Sequence, residues 1–305
     1  VSHSALTDLR SRFGEQVQEN LLLAPYTSAR IGGPADILLT ARNADELADM
    51  VLACRECELP FIVLGGGSNV LVSDRGVRQV VILNRAKDVK FELDEKQPRV
   101  RAESGTISSN LAHRAATHGL SGLEWAGSVP GTIGGAVYGN AGAFGGDMAG
   151  NLLWAEVLTS AGRERWPVEK FGYGYRTSVL KRGETQAIIL SAELRLQHST
   201  REAAQAALQQ FAERRKNTQP PGASMGSMFK NPSGDYAGRL IEAAGLKGVR
   251  IGKVQISPVH ANFFLTDSQA TASDVAKLVE QTRSVVAEKF GVQLELEVEF
   301  IGEWS

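Results

Sequence analysis

The sequence lacks most of what several protein classes require. Only two cysteines occur in 305 residues, Cys54 and Cys57, so no disulfide scaffold can form. No apolar run approaches the roughly 18 residues that span a bilayer; Val80-Val81-Ile82-Leu83 is among the longest. Neither sign of charge is in excess, with 33 Lys plus Arg against 34 Asp plus Glu and a net charge of -1. That balance excludes a broad basic field as the source of affinity, so neither nucleic acid nor membrane is expected as a partner. A few local cations would still suffice for a small anion. Val1 to Ala5 show no basic stretch followed by an apolar one. No export signal is therefore expected, and the start at Val1 reads as a trimmed end. The expectation is a soluble protein of the cytoplasm, a reducing compartment. His3, His113, His118, His198 and His260 show no metal-binding spacing and no H-E-x-x-H occurs, so no metal is expected.

What is abundant is glycine. The chain holds 32, and ten of the 28 residues from Gly119 to Gly146 are glycine. So much backbone entropy needs a reason, such as close approach to a ligand. The same stretch carries Leu123, Trp125, Val129, Ile133, Val137, Tyr138 and Phe144, which flexible linkers avoid. An ordered ligand cradle is the better reading.

Apolar periodicity predicts a helix near Leu6 to Val17 and a strand over Ala35 to Thr40. Asn43 with Glu46 predicts a capped helix whose apolar face carries Leu47, Met50, Val51, Cys54 and Cys57. Further strands are expected at Phe61 to Leu64, Val70 to Val72, Val77 to Leu83 and Arg99 to Glu103, and a helix at Ser108 to Thr117. A hairpin is expected around Ser160-Ala161-Gly162, then a long strand from Ala187 to Leu196. Composition then shifts to an Ala/Gln-rich helix from Thr200 to about Lys216. Helices come next near Gly238 to Ala244 and from Ala272 to Phe290, each closed by glycine. Val292, Leu294, Leu296, Val298 and Phe300 alternate with polar residues, the pattern of a half-buried strand. The chain reads as α+β, with an N-terminal extension over 1–20, a first domain over 21–197 and a smaller α/β second domain over 198–305.

Several motifs could carry chemistry. Gly65-Gly66-Gly67-Ser68-Asn69 is followed by strand residues rather than a helix, so it is not a Rossmann fingerprint. No Gly-Lys-Ser/Thr makes it a nucleotide-triphosphate loop. It remains either an anion-binding nest or a tight turn. The C-x-x-C of Cys54 and Cys57 lacks a second ligand pair and reads as helix packing. His260, before Phe263-Phe264-Leu265, reads as a structural histidine. Taken alone, Gly226 to Pro232 is an ordinary polar loop, Arg176 a surface cation, and Glu297 part of a solvated strand face.

In order along the chain stand Ala29-Arg30-Ile31-Gly32-Gly33-Pro34-Ala35, Leu64 to Leu71, Gly127 to Ala136 and Gly139 to Gly145. After them come Tyr175-Arg176-Thr177-Ser178, Gly226-Ser227-Met228-Phe229-Lys230-Asn231-Pro232, Ala243 to Gly248 and Leu294 to Gly302. These eight blocks resemble the UDP-N-acetylenolpyruvoylglucosamine reductases, in their shorter subclass, from about Leu21 onward. The resemblance implies an FAD-binding domain of the vanillyl-alcohol-oxidase (PCMH) type, followed by a substrate-binding domain. It implies bound FAD, NADPH as co-substrate and a UDP-sugar substrate. It assigns Arg176, Ser227 and Glu297 as catalytic. The cofactor would be held by Gly65, Gly66, Gly67, Ser68, Asn69, Ser128, Thr132, Ile133, Gly134 and Asn140. The substrate would be held by Tyr175, Lys230, Asn231 and His260. Two positions depart from some family members: Glu299 stands in place of an Arg, and Leu296 in place of a Pro.

The implied chemistry is reduction of an enolpyruvyl ether, with Ser227 giving a proton and Arg176 and Glu297 handling developing charge. A carboxylate at Glu297 facing a substrate carboxylate implies a raised pKa, or a charge offset by Arg176 or Lys230. Another flavoenzyme of the same fold would not need Ser227 and Glu297. A non-catalytic nucleotide-sugar-binding protein would not need Ser227.

Overall fold

The computed structural model describes residues 3–93 and 96–304; residues 1 and 2 of the 1–20 extension lie outside the described residues. Two sheets build the first two thirds of the chain. In the first, Pro34–Ala41, Val77–Asn84 and Phe61–Leu64 pair in parallel, and Gln18–Leu22 closes one edge antiparallel. The central strands are apolar on both faces because both faces are covered. Helix Ala44–Glu56 begins where the Asn43 carboxamide oxygen accepts the Glu46 amide, while Glu46 reaches back to the Arg42 amide. It lays Leu47, Met50, Val51 and Cys54 into the core. Cys57 departs from the expected face. It ends the helix, and its thiol donates to Asp8 instead of packing fully inside.

The second sheet is antiparallel, in the order Gly162–Pro167, Leu152–Thr159, Ile188–Arg195, Arg99–Glu103 and Val89–Glu92. Val89–Glu92, a short edge strand, is not expected from the sequence. Helix Ser108–Thr117, the short helix Ile133–Gly139 and the first turns of helix Arg201–Thr218 share a core with this sheet through Leu111, Val137, Leu194 and Leu208. The Ala/Gln-rich helix after residue 198 is thus packed on the earlier core.

The last third folds as a four-stranded antiparallel sheet, Ala223–Ser227, Phe263–Thr266, Val254–Ile256 and Arg250–Ile251. Helices Ala237–Ala243 and Ala272–Phe290 cover it. Thr271 caps the long helix by accepting the Asp274 amide, and Gly291, at φ +67°, stops it. The core here also takes in Ala29, Ile31 and Leu71 from the start of the chain.

The expected strand over Val292 to Phe300 is corrected. Only Glu299–Ile301 is a strand, and it pairs in parallel with Val70–Val72. Residues 292–298 make a single antiparallel bridge, Leu296 to Phe229. The alternation does bury Leu294 and Val298, but the segment runs between two partners and changes partner at Glu297. No continuous ladder can form there, and Glu297 leaves the solvated face it was expected to occupy.

Candidate active site

Three segments meet at Glu297. Residues 295–297 run beside 228–230, where the Lys230 amide donates to Glu295 and the Glu297 amide donates to Met228, at 2.8 and 2.9 Å. The Glu297 carbonyl accepts the Asn69 carboxamide at 3.0 Å and the Lys181 ammonium at 3.4 Å. Its carboxylate lies 2.8 Å from Arg176 Nε. The Nε–H is poorly aligned on that line, so charge attraction is the main part of the contact. The Arg176 side chain is 26% exposed and that of Glu297 16%. Burial pushes the Glu297 carboxyl above its ordinary value; Arg176, Lys181 and Lys230 pull it back only in part.

Arg176 sits at φ +55° in a turn where Gly174 and Thr177 bond to each other. The end of helix Ile133–Gly139 holds that turn. Tyr173 donates its hydroxyl to the Val137 carbonyl, the buried Ser178 hydroxyl donates to Tyr138, and Asn140 donates to Gly174. The carboxamide oxygen of Asn140 accepts the Ala149 amide, so this predicted cofactor residue spends its side chain on the protein. Tyr175 is exposed, its ring centroid 5.6 Å from the Arg176 guanidinium carbon. Arg176 is therefore not the free surface cation its local sequence suggests.

Ser227 ends strand Ala223–Ser227, opposite Phe263, after a register irregularity and Gly226 at φ +77°. Asn262 fixes the next two residues. It accepts the Phe229 amide, donates to the Phe229 carbonyl and takes the Met228 amide on its main chain. The Ser227 hydroxyl makes no hydrogen bond within the described residues, so its proton is uncommitted, and the segment is more than a polar loop. Lys230 reaches Glu295 at 3.3 Å. Asn231 accepts the Ala237 amide at the start of a helix. His260 accepts the Asn262 amide, packs edge-on to Phe263, and has its pKa lowered by burial. Asn231 and His260 each have one polar atom committed to the chain.

Two glycine-rich loops face one another beside this cluster. Ser68 donates to the Pro130 carbonyl, and a Cβ on Gly66 would lie 3.1 Å from the Gly131 Cα. A Cβ on Gly67, itself at φ +59°, would lie 2.1 Å from the Tyr26 carbonyl oxygen. Part of the glycine excess thus serves contact of the chain with itself. The amides of Ile133 and Gly134 are committed to Thr106 and Ser104. The amides of Gly66, Gly67 and Ser68 have no acceptor among the described residues. The hydroxyls of Ser128 and Thr106 are buried without a partner, and the Thr132 hydroxyl lies against Gly65. Free amides in one loop and orphaned hydroxyls in and below the other fit an anionic group with polar edges. A surface hollow of about 280 Å³, lined by Lys90, Glu92, Arg99, Arg101, Trp154, Arg165 and Glu193, shares none of these residues.

Lys181 escaped sequence reading. Nothing sets it apart from its neighbour Arg182, which pairs with Glu184 at the surface. Only the fold turns one inward and the other out.

This architecture is that of an FAD-binding oxidoreductase of the vanillyl-alcohol-oxidase type: residues 35–166 match the family model described as an FAD binding domain. Alkyldihydroxyacetonephosphate synthase has a similar fold over 65% of this chain, at 16% identity and a TM-score of 0.50. Residues 217–301 match the UDP-N-acetylenolpyruvoylglucosamine reductase C-terminal domain. The reductase of that name from Chloroflexus aggregans is 42% identical, the match covering 93% of this chain and 97% of the relative. The one from Bacillus velezensis is 41% identical over 98% of both chains. The crystal structure of the Thermus caldophilus reductase shares 38% identity at a TM-score of 0.79, covering 93% of this chain and 98% of the other. The chain belongs to the UDP-N-acetylenolpyruvoylglucosamine reductase family.

Proposed function

We propose that this protein is an NADPH-dependent flavoenzyme. It reduces the enolpyruvyl ether of UDP-N-acetylglucosamine to UDP-N-acetylmuramate, a step in making peptidoglycan precursors. The observation that carries the reading is the meeting at Glu297 of the glycine-rich loop that ends at Asn69, the loop that carries Arg176, and Met228, the residue next to Ser227. Bound FAD supplies two-electron redox chemistry between NADPH and the enolpyruvyl double bond. Gly66, Gly67 and Ser68 would hold it through their amides, with the hydroxyls of Ser128 and Thr132 beside them.

The substrate carbon next to its carboxylate becomes negative during reduction and must take a proton. Ser227 holds that proton on a hydroxyl with no competing acceptor. The terminal nitrogens of Arg176 donate to nothing among the described residues and would be free to clamp the substrate carboxylate. Glu297 lies against the Nε of Arg176, and its raised pKa lowers the cost of bringing a second carboxylate close. Tyr175, Lys230, Asn231 and His260 are assigned to the UDP-sugar. The division at 21–197 and 198–305 into cofactor and substrate domains belongs to the same reading. No helix of the described residues is long and apolar enough to cross a membrane. NADPH and a nucleotide sugar are metabolites of the cytoplasm, and this supports the cytoplasm as the compartment.

Purified protein is expected to be yellow and to bleach on anaerobic addition of NADPH. The UDP-enolpyruvyl sugar, added next without oxygen, is expected to restore the colour. Bleached protein that recovers its colour only with oxygen would identify an oxidase of the same fold instead.

A further inference from the structure

Lys181 has no part in the reductase reading, yet it touches the centre of the site. Its side chain is only 14% exposed. Its ammonium lies 3.3 Å from Glu299 Oε1 and 3.4 Å from the Glu297 carbonyl. Lys181 stands in the turn that begins at the buried Ser178, whose hydroxyl accepts the Lys181 amide and donates to Tyr138. One loop therefore sends two cations to one residue: Arg176 meets the carboxylate of Glu297, and Lys181 meets its peptide.

We infer that Lys181 is a positioning residue for the reduction: it fixes the direction in which Glu297 projects and holds a positive charge beside the Glu297 carboxyl. The inference rests on the assignment of Glu297 to that reaction. The geometry is specific. The Glu297 peptide is held at its amide by Met228 and at its carbonyl by Asn69 and Lys181 together. Removing Lys181 leaves Asn69 as the one donor to that carbonyl among the described residues, at the point where the chain changes pairing partner.

The charges acting on Glu297 can be named element by element. Arg176 and Lys181 come from the 174–181 loop and Lys230 from the segment after Ser227, while Glu299, two residues on, is the ion-pair partner of Lys181. Tyr138 faces Glu299 from the helix end, its phenol pushed up to about 12 by burial and then by the Glu299 charge. Without Lys181 the carboxyl loses a cation, and that favours its protonated form.

The test is a titration of the Glu297 carboxyl by carbon NMR in the oxidised holoenzyme with labelled glutamate. The signal is assigned by its loss in Glu297→Gln. In Lys181→Met the titration is expected to move to higher pH. Flavin reoxidation by the UDP-enolpyruvyl sugar at neutral pH is expected to fall roughly tenfold, the lower range for loss of an outer hydrogen-bond partner at metal sites. Lys181→Arg is expected to restore both. An unmoved Glu297 titration in folded, FAD-replete Lys181→Met overturns the inference, as does a failure of Lys181→Arg to restore it. The titration needs no turnover. A failure of the reductase assignment would appear separately, as bleached wild-type enzyme that the UDP-enolpyruvyl sugar does not reoxidise.

Discussion

Arg176 Nε stands 2.8 Å from Glu297 Oε1, and the carboxyl is nevertheless harder to ionise than a free one. Burial outweighs the combined pull of Arg176, Lys181 and Lys230 on the carboxyl. A guanidinium devoted to structure would make paired, aligned bonds. This one is left with donors to spare, as binding an incoming carboxylate would require.

The raised pKa gives a stability prediction with a definite sign. Glu297 has an ordinary value of 4.5 and a higher one in the fold. The folded chain therefore binds the proton more tightly than the unfolded chain. That contribution is fully present below the unfolded pKa and is lost as pH rises through the folded one. Glu297→Gln does not titrate and has no such loss. Between about pH 4 and pH 7, the Tm of the variant should improve relative to the parent, both deflavinated. A difference in Tm that stays constant across that range would show that the carboxyl is not shifted.

Adjacent glycines should fail for different reasons. Alanine at Gly67 adopts a positive φ and drives its Cβ into the Tyr26 carbonyl. Gly67→Ala should destabilise the apoprotein itself, by about 2 kcal/mol or more. At Gly66 the nearest atom is the Gly131 Cα at 3.1 Å, which needs only a small adjustment. Gly66→Ala should keep apoprotein stability within about 1 kcal/mol, while FAD affinity falls roughly tenfold or more. Denaturation of the two apoproteins and flavin titration separate the cases. Equal loss of apoprotein stability in both would mean that the loop is built for packing alone.

How far the sequence reaches depends on whether a feature is local. The helix over Ala272–Phe290, its Thr271 cap and its Gly291 stop are local, and period and capping chemistry reveal them. So are the helix after Asn43 and the strands Pro34–Ala41 and Val77–Asn84. The segment at 292–298 defeats the same method, since alternation records which side chains are buried and not which strand is the partner. At the site, Arg176 and Glu297 are indistinguishable from surface charges in their own windows, and only the order of eight motifs points to them. Lys181 has no motif at all. Its role exists only once the turn after Ser178 has been folded against Tyr138.

Asp74 ties the start of the long helix to the first part of the chain. Its carboxylate accepts the amides of Ala272 and Ser273 at 2.7 and 2.8 Å and the Ser273 hydroxyl at 2.6 Å. It lies just after Val70–Val72, the strand that pairs with Glu299–Ile301. Asp74→Ala frees two helix-end amides that the Thr271 cap does not reach, and it should cost about 1–2 kcal/mol. The urea midpoint should fall by the corresponding amount, with the rate of flavin reduction by NADPH unchanged. An unaltered midpoint would show that water satisfies those amides as well as the carboxylate does.

Ser227 offers the sharpest separation of the reductase from a binding protein or an oxidase. Its hydroxyl has no partner among the described residues, while its main chain is fixed by pairing with Phe263 and the two residues after it by Asn262. Ser227→Ala should therefore leave the fold and the FAD content as they are. Reduction of the flavin by NADPH needs no proton from this residue and should run at nearly the parent rate. Reoxidation by the UDP-enolpyruvyl sugar should slow by roughly two to three orders of magnitude, because the developing carbanion meets no donor. Cysteine at this position is a better acid than serine and should recover part of the rate. If Ser227 only shaped the loop beside Lys230, alanine would cost at most about 1 kcal/mol of stability and both half-reactions would be normal. Stopped-flow absorbance resolves the two half-reactions one at a time. An unchanged reoxidation rate in Ser227→Ala would remove the hydroxyl from the reaction and return the proton to solvent or to another group.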